Sequence, residues 1–206
     1  MTNRNVSKEE RRNSLLSAAL SAFGKRGYHE TQVSHIIKEA KVARGTFYLY
    51  FESKRVIFDE LVTKISQKIE SCIHPIDKSI ASEIPQQILD NITRVTDLLL
   101  KNPLYLKVFL SDAVGLDREF DERLRRFYHR VLLNIQKGLN QGQELGLVRS
   151  GNTKIISVCL LGSLKEIYYQ HVLGTTKAKT HEIVEEVYLL VLHAVVEPNI
   201  LAKMLP

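Results

Sequence analysis

An all-α fold follows from three features of this 206-residue sequence. Apolar residues recur three and four apart through nearly every segment, the spacing of one helix face. No segment alternates convincingly with the period of two that a half-buried strand requires. Capping residues and prolines fall at the ends of the periodic stretches.

Each element has its own warrant. Ser7 and Glu10 form a Ser-x-x-Glu capping box, after which Leu15, Leu16, Ala19, Leu20 and Phe23 share one face of an amphipathic first helix that Gly24 and Gly27 end. Thr31 caps a second helix, with Val33, Ile36, Ile37 and Ala40 inward and Val42 in the following turn. A short third helix spans about 44–51, and Ser53 caps a fourth that starts at Lys54 and continues past Ile69. Pro75 and Pro85 bracket the best candidate boundary, a loop over 73–84, so two domains are expected, 1–70 and 71–206. Further helices fall at about 85–101, 103–114, 117–145, 153–173 and 180–204. Pro103 suits a first turn, Asp117 and Asn152 suit caps, and Pro198 should end or kink the last helix. Gly138, Gly142 and Gly146 lie on one face near the end of a long helix, marking local close packing or a weakened helix end.

The net charge of +6 is unevenly spread. Residues 1–70 hold 13 Lys/Arg against 8 Asp/Glu, whereas residues 71–206 hold 16 against 15. A basic first third on a near-neutral body suggests a polyanionic partner there; the bland alternative is a slightly basic soluble protein. The two cysteines, Cys72 and Cys159, are far apart and in no metal-ligand spacing. They fit a reducing cytoplasm as small buried hydrophobes. No metal or cofactor is indicated. The polar N-terminus lacks the apolar core of a signal peptide. The longest apolar stretches, 155–164 and 187–196, are about half the roughly 20 residues of a membrane span, so no membrane partner is expected.

The most informative segment is 27–54, which reads as two short helices joined by a tight turn. Such a helix-turn-helix places its second helix in the major groove of duplex DNA. Val33, Ile36, Ile37, Ala40, Val42, Phe47 and Phe51 supply the inner face, leaving Arg44, Gly45, Thr46, Tyr48 and Tyr50 outside. Gly45 lets backbone approach a base edge, and Thr46 offers a methyl and a hydroxyl to one. Arg44 suits guanine or phosphate, while Tyr48 and Tyr50 suit phosphate oxygens. Lys54, Thr31 and Gln32 stand at helix starts, where phosphate is favoured. Any one of these residues also suits the surface of an ordinary helical bundle. Four aromatics in five positions, Phe47, Tyr48, Tyr50 and Phe51, are harder to explain on a short helix with no partner.

The run Lys25-Arg26-Gly27-Tyr28, then Thr31, then 40–51, then Lys54 resembles the DNA-binding segment of the TetR family of bacterial transcriptional regulators. The resemblance covers about residues 10–65. It implies DNA contacts at Thr31, Arg44, Gly45, Thr46, Tyr48, Tyr50 and Lys54, and a nine- or ten-helix protein. It further implies a ligand cavity in the C-terminal body and a homodimer through the last two helices, about 153–173 and 180–204. Two positions depart from the pattern. Lys41 stands where the family usually has Gly in the turn, and Ala43 where Ser or Thr usually caps the recognition helix. A non-Gly residue in a left-handed turn costs about 1–2 kcal/mol, and a missing N-cap about 1 kcal/mol. Lys41 is otherwise explained as a phosphate contact.

In the body, Ile155, Ile156, Cys159, Leu160, Leu164 and Ile167 line one strongly apolar helix, and Val184, Val187, Tyr188, Val191, Leu192 and Val195 line another. They are core helices or, as the resemblance favours, an interface. Tyr105, Phe109, Phe127, Tyr128 and Tyr168 either pack the core or line a cavity for a hydrophobic small molecule. Five arginines between Arg118 and Arg130 read as a solvated helix face, or as a site for an anionic ligand tail. The segment 27–34 resembles that of fatty-acyl-responsive members of the family.

An enzyme is not expected: the chain has no Gly-rich phosphate loop, His-Glu-x-x-His, Gly-x-Ser-x-Gly or Cys-x-x-Cys. The leading expectation is a DNA-binding transcriptional repressor, released from a palindromic operator by a hydrophobic ligand. The alternative is a helical interaction adaptor without ligand response, which leaves the basic, aromatic-rich segment unexplained.

Overall fold

The computed structural model describes residues 7–77, 79, 81–110 and 118–204, without the side chains of 81, 109, 110, 118–121, 123, 203 and 204. Ten α-helices occur among them: α1 Lys8–Glu30, α2 Val33–Ala40, α3 Arg44–Tyr50, α4 Lys54–Cys72, α5 Ile84–Lys101, α6 Pro103–Leu110, α7 Arg118–Glu144, α8 Thr153–Val172, α9 Thr180–Val195 and α10 Pro198–Met204. The described residues contain no strand, only one antiparallel bridge between Val148 and Val196. The fold is all-α.

Local chemistry sets several of these ends. The Ser7 capping box forms in both directions: the Glu10 N–H donates to Ser7 Oγ at 3.1 Å, and the Ser7 N–H donates to Glu10 Oε2 at 2.7 Å. Asn152 Oδ1 caps α8 by accepting from the N–H groups of Lys154 and Ile155, and Ser53 Oγ accepts from the Val56 N–H at the start of α4. Pro103 opens α6, and Pro198 opens α10 after α9 has ended at Val195. The expected cap Asp117 lies outside the described residues.

Two expectations at the first turn are corrected. The first helix does not end at Gly24 but passes through it and breaks only at Gly27, whose φ of 74° favours glycine. A Cβ on Gly24 would lie 2.5 Å from Leu104 Cδ2, so the missing side chain is what lets α6 seat against α1. Thr31 does not cap α2; the residue in the N-cap position is Gln32. Thr31 is fully buried, and its hydroxyl donates to Gly27 O at 2.6 Å and Ala22 O at 3.2 Å, stitching the break in α1.

The described residues of Met1–Lys68 and Asn102–Asp121 pack as one unit, and those of Ile69–Lys101 and Glu122–Pro206 as a second. The first thus draws α6 from beyond the 1–70 segment. Its core holds Leu15, Leu16, Ala19, Ile36, Ile57 and Leu61, with Phe58 packed between Phe23 (4.9 Å between ring centroids) and Tyr28 (4.6 Å). In the second unit Leu139, Ile156 and Val195 bring α7, α8 and α9 into one apolar cluster, and a buried hydroxyl pair, Thr96 Oγ1 and Tyr168 OH at 2.8 Å, joins α5 to α8. Gly142 is a close approach, since a Cβ there would lie 2.4 Å from Val148 Cγ2. The 73–77 segment is laced to α5: Asn91 exchanges hydrogen bonds with the backbone of His74, and Gln87 does so with Asp77.

Helix α8 carries apolar residues on both its buried and its exposed side, the exposed side with Lys154, Lys165 and Glu166 among them. Ile156, Ser157 and Tyr168 are buried, while the opposite side shows Ile155, Val158, Cys159, Gly162, Tyr169 and Leu173 to solvent. These six fall within about a 100° stripe at 100° per residue, which also contains the exposed Glu166. Helix α9 differs: Val184, Val187, Leu192 and Val195 face the core, and its exposed side carries glutamates with Leu190 and His193.

Candidate nucleic-acid interface

Helix α3 has seven residues, too few to be stable alone. Burial holds it. Phe47 and Phe51, four apart, are both fully buried with ring centroids 6.0 Å apart. Arg12 of α1 locks the C-terminal end. Its guanidinium donates to Tyr50 O at 3.2 Å, lies 4.5 Å from the Phe51 ring centroid and grips Glu60 of α4 with two donors. Those hydrogen bonds hold the Glu60 carboxyl below, and the Arg12 guanidinium above, their ordinary pKa values.

The N-terminal end is held by the turn. Lys41 is left-handed (φ 53°, ψ 45°), the one non-glycine with positive φ among the described residues, and its N–H donates to Lys38 O at 3.3 Å. The Val42 N–H donates to Ile37 O at 3.3 Å, which ends α2 and redirects the chain. Ala43 occupies the N-cap of α3 with no side-chain hydrogen bond. Both departures noted in the sequence therefore sit at the geometric positions where glycine and a hydroxyl would be favoured.

With its inner face anchored, α3 presents Arg44, Gly45, Tyr48 and Leu49 to solvent, with Thr46 and Tyr50 partly covered. The Arg44 guanidinium lies 5.8 Å from the Tyr48 ring centroid. A Cβ on Gly45 would meet nothing within 4 Å, so packing does not require glycine there. Beside α3 lies a shallow groove of about 530 Å³ lined by Gln32, Val33, Ser34, Ile37, Lys38, Lys41, Val42 and Arg44, three cations and no acid. This side of the unit suits a polyanion.

Two expected contacts are placed elsewhere. Thr31 is buried, as described above. Lys54 folds back: its ammonium donates to Tyr28 O at 2.8 Å and His29 O at 3.3 Å and lies 4.2 Å from the Tyr28 ring centroid. Burial holds it below the usual lysine range. Both residues secure the turn around Gly27. The structure adds Ser34, Lys38 and Leu49 to the outer surface; their exposure followed from helical phase, but a leucine carries no polar signal.

The five aromatics considered for a ligand separate. Tyr105 lies buried in the first unit, its hydroxyl accepting from Lys68 Nζ at 3.0 Å. The side chain of Phe109 lies outside the described residues. Phe127, Tyr128 and Tyr168 fall in the second unit. Phe127 and Tyr128 have centroids 5.4 Å apart, Lys165 Nζ lies 4.3 Å from the Tyr128 centroid, and burial pushes the Tyr128 and Tyr168 phenols up to about 12. Of the arginine-rich helix, Arg130 pairs with Glu70 at 2.9 Å.

Residues 15–61 match the model of the family described as bacterial regulatory proteins, tetR family. An uncharacterized HTH-type transcriptional regulator, YdgC of Bacillus subtilis (strain 168), is 25% identical over 186 residues, which cover 88% of this chain and 91% of that protein. The fatty acid metabolism regulator protein of the same organism is 28% identical over 177 residues, covering 79% and 84%. The structure of the transcriptional regulator FadR from Bacillus subtilis in complex with stearoyl-CoA superposes with a TM-score of 0.73 at 24% identity, covering 86% of this chain and 96% of that one.

Proposed function

We propose a function that proceeds from one premise: this chain belongs to the TetR family of bacterial regulatory proteins and is a DNA-binding transcriptional regulator. The finer reading is a cytoplasmic repressor whose two copies hold a roughly palindromic operator until a hydrophobic small molecule releases it. The observation that carries the DNA side is α3, whose aromatics Phe47 and Phe51 are spent on anchoring, so that Arg44, Gly45 and Tyr48 stand free beside a groove of three cations. Gln32, Thr46 and Tyr50 flank them as backbone contacts. Lys38 and Lys41 add positive charge opposite the phosphates, and neutralised phosphates dominate affinity and its salt dependence.

Pairing through α8 is supported by its second, largely apolar side, where Ile155, Val158 and Leu173 are exposed along one stripe with Glu166, since an exposed apolar patch marks an interaction surface. A two-fold pair presents two α3 helices to two half-sites. The inducer is an acyl-chain compound in this reading. Its support is the likeness to a fatty acid metabolism regulator and to a FadR bound to stearoyl-CoA, with Phe127, Tyr128 and Tyr168 supplying apolar surface in the second unit. Ligand binding there favours a DNA-incompetent state, which requires tighter binding to that state than to the DNA-competent one.

The test is to titrate stearoyl-CoA, and free CoA beside it, into a complex of the protein with a duplex selected by affinity from genomic DNA. Release by stearoyl-CoA and not by CoA is the expected result. A complex indifferent to long-chain acyl compounds removes the inducer from the reading and leaves the regulator standing.

A further inference from the structure

We propose that Leu49 reads a thymine methyl group in each half-site, making it a specificity-determining residue; the inference rests on the DNA-binding reading of α3. Leu49 is 80% exposed, more than Tyr48 beside it at 45%. A lone exposed leucine is unremarkable in general, but three observations give this one an occupant. First, α3 is oriented on both sides: Phe47 and Phe51 are buried, so the phase of Leu49 is fixed away from the core. Second, Gly45 precedes it by four residues, one helical turn on the same face, and a Cβ on Gly45 would meet nothing within 4 Å. The helix backbone is therefore bare where Leu49 begins to project, and a duplex edge can approach closely enough for its methyls to touch bottom. Third, the neighbouring groove is lined by Lys38, Lys41 and Arg44 without an acid, complementary to phosphates flanking such an edge.

The major groove offers few apolar marks, and the 5-methyl group of thymine is the prominent one. Arg44 and Tyr48 supply donors to the surrounding polar atoms. A leucine on the outer face beside them gains nothing from phosphate, and only burial of its apolar surface against a methyl group is favourable, so its contribution to binding is a choice among bases rather than a general grip.

The experiment uses the full chain and a duplex selected by it from a random-sequence library. Each thymine in the selected site is replaced in turn by deoxyuridine, which removes the methyl and leaves the pairing edge intact. We expect one position per half-site where replacement weakens wild-type binding about four-fold, the size one buried methyl gives. Leu49→Ala binds the thymine and deoxyuridine duplexes equally, and its thermal unfolding stays close to wild type because the side chain is 80% exposed. The proposal is overturned if no replacement weakens binding, or if Leu49→Ala keeps the wild-type preference for thymine. Failure of the wild type to select any site would instead strike the DNA-binding reading itself.

Discussion

Arg12 and Glu60 show how single residues set the interface from behind. Neither faces outward as a reader, yet the guanidinium fixes the end of α3 through Tyr50 O and the Phe51 ring while Glu60 holds the guanidinium. Glu60→Gln should lower stability by about 1 kcal/mol, below the usual range for a charged hydrogen bond because the pair is partly solvated. The native carboxyl titrates below its ordinary value of 4.5. The pair's contribution is therefore full above that value and is lost as acidification passes through the lowered native one. Melting curves of wild type and variant should differ at neutral pH and converge as acidification carries the Glu60 carboxyl through its lowered native value; a gap that stays constant would refute the account. Gly45 carries the opposite logic. Glycine in a helix costs about 0.5–1 kcal/mol relative to alanine, and nothing near Gly45 needs the space. Gly45→Ala should raise the melting temperature and weaken operator binding, and a variant that binds as well as wild type would remove the close-approach argument.

At the scale of elements, the turn between α2 and α3 carries a cost that glycine and a capping hydroxyl would relieve. Lys41 adopts left-handed geometry, so Lys41→Gly should stabilise the protein by about 1–2 kcal/mol; a lower melting temperature would sink the claim. The same variant should flatten the salt dependence of DNA binding by roughly one phosphate contact. Most elements were legible in the sequence because their signals are local: the Ser7 capping box, the Asn152 cap, and the proline breaks at 103 and 198. What local signals could not convey was tertiary use of an ordinary residue. Gly24 looked like a helix end and is a seat for Leu104; Thr31 looked like a cap and is a buried stitch; Lys54 looked like a phosphate ligand and clamps two carbonyls. Each role depends on a partner far along the chain or across a turn, and spacing alone does not reveal that partner. Leu49 escaped for another reason, since its outward phase was readable but its type suggested a core.

For the whole molecule, the proposed function turns on the pairing of two copies. Ile155, Val158 and Leu173 expose more than half of their surface along α8, and Leu190 of α9 exposes half. Val158→Glu places a charge in that stripe, and burying it unpaired would cost several kcal/mol. Light scattering should find twice the 23.6 kDa chain mass for wild type and a single chain mass for the variant. Circular dichroism should show both equally helical. A variant that remains paired would move the interface off α8. Loss of pairing should also lower operator affinity strongly, because two linked half-site contacts become two independent ones.

The central claim is that paired α3 helices read a two-fold DNA site, and selection of genomic fragments by affinity tests it most directly, with Tyr48→Ala beside the wild type at moderate salt. The account predicts enrichment of a roughly palindromic sequence whose half-sites lie about one helical turn apart or a multiple of it, and loss of that enrichment in the variant. An asymmetric site bound equally well by Tyr48→Ala, or no enriched site at all, would contradict it.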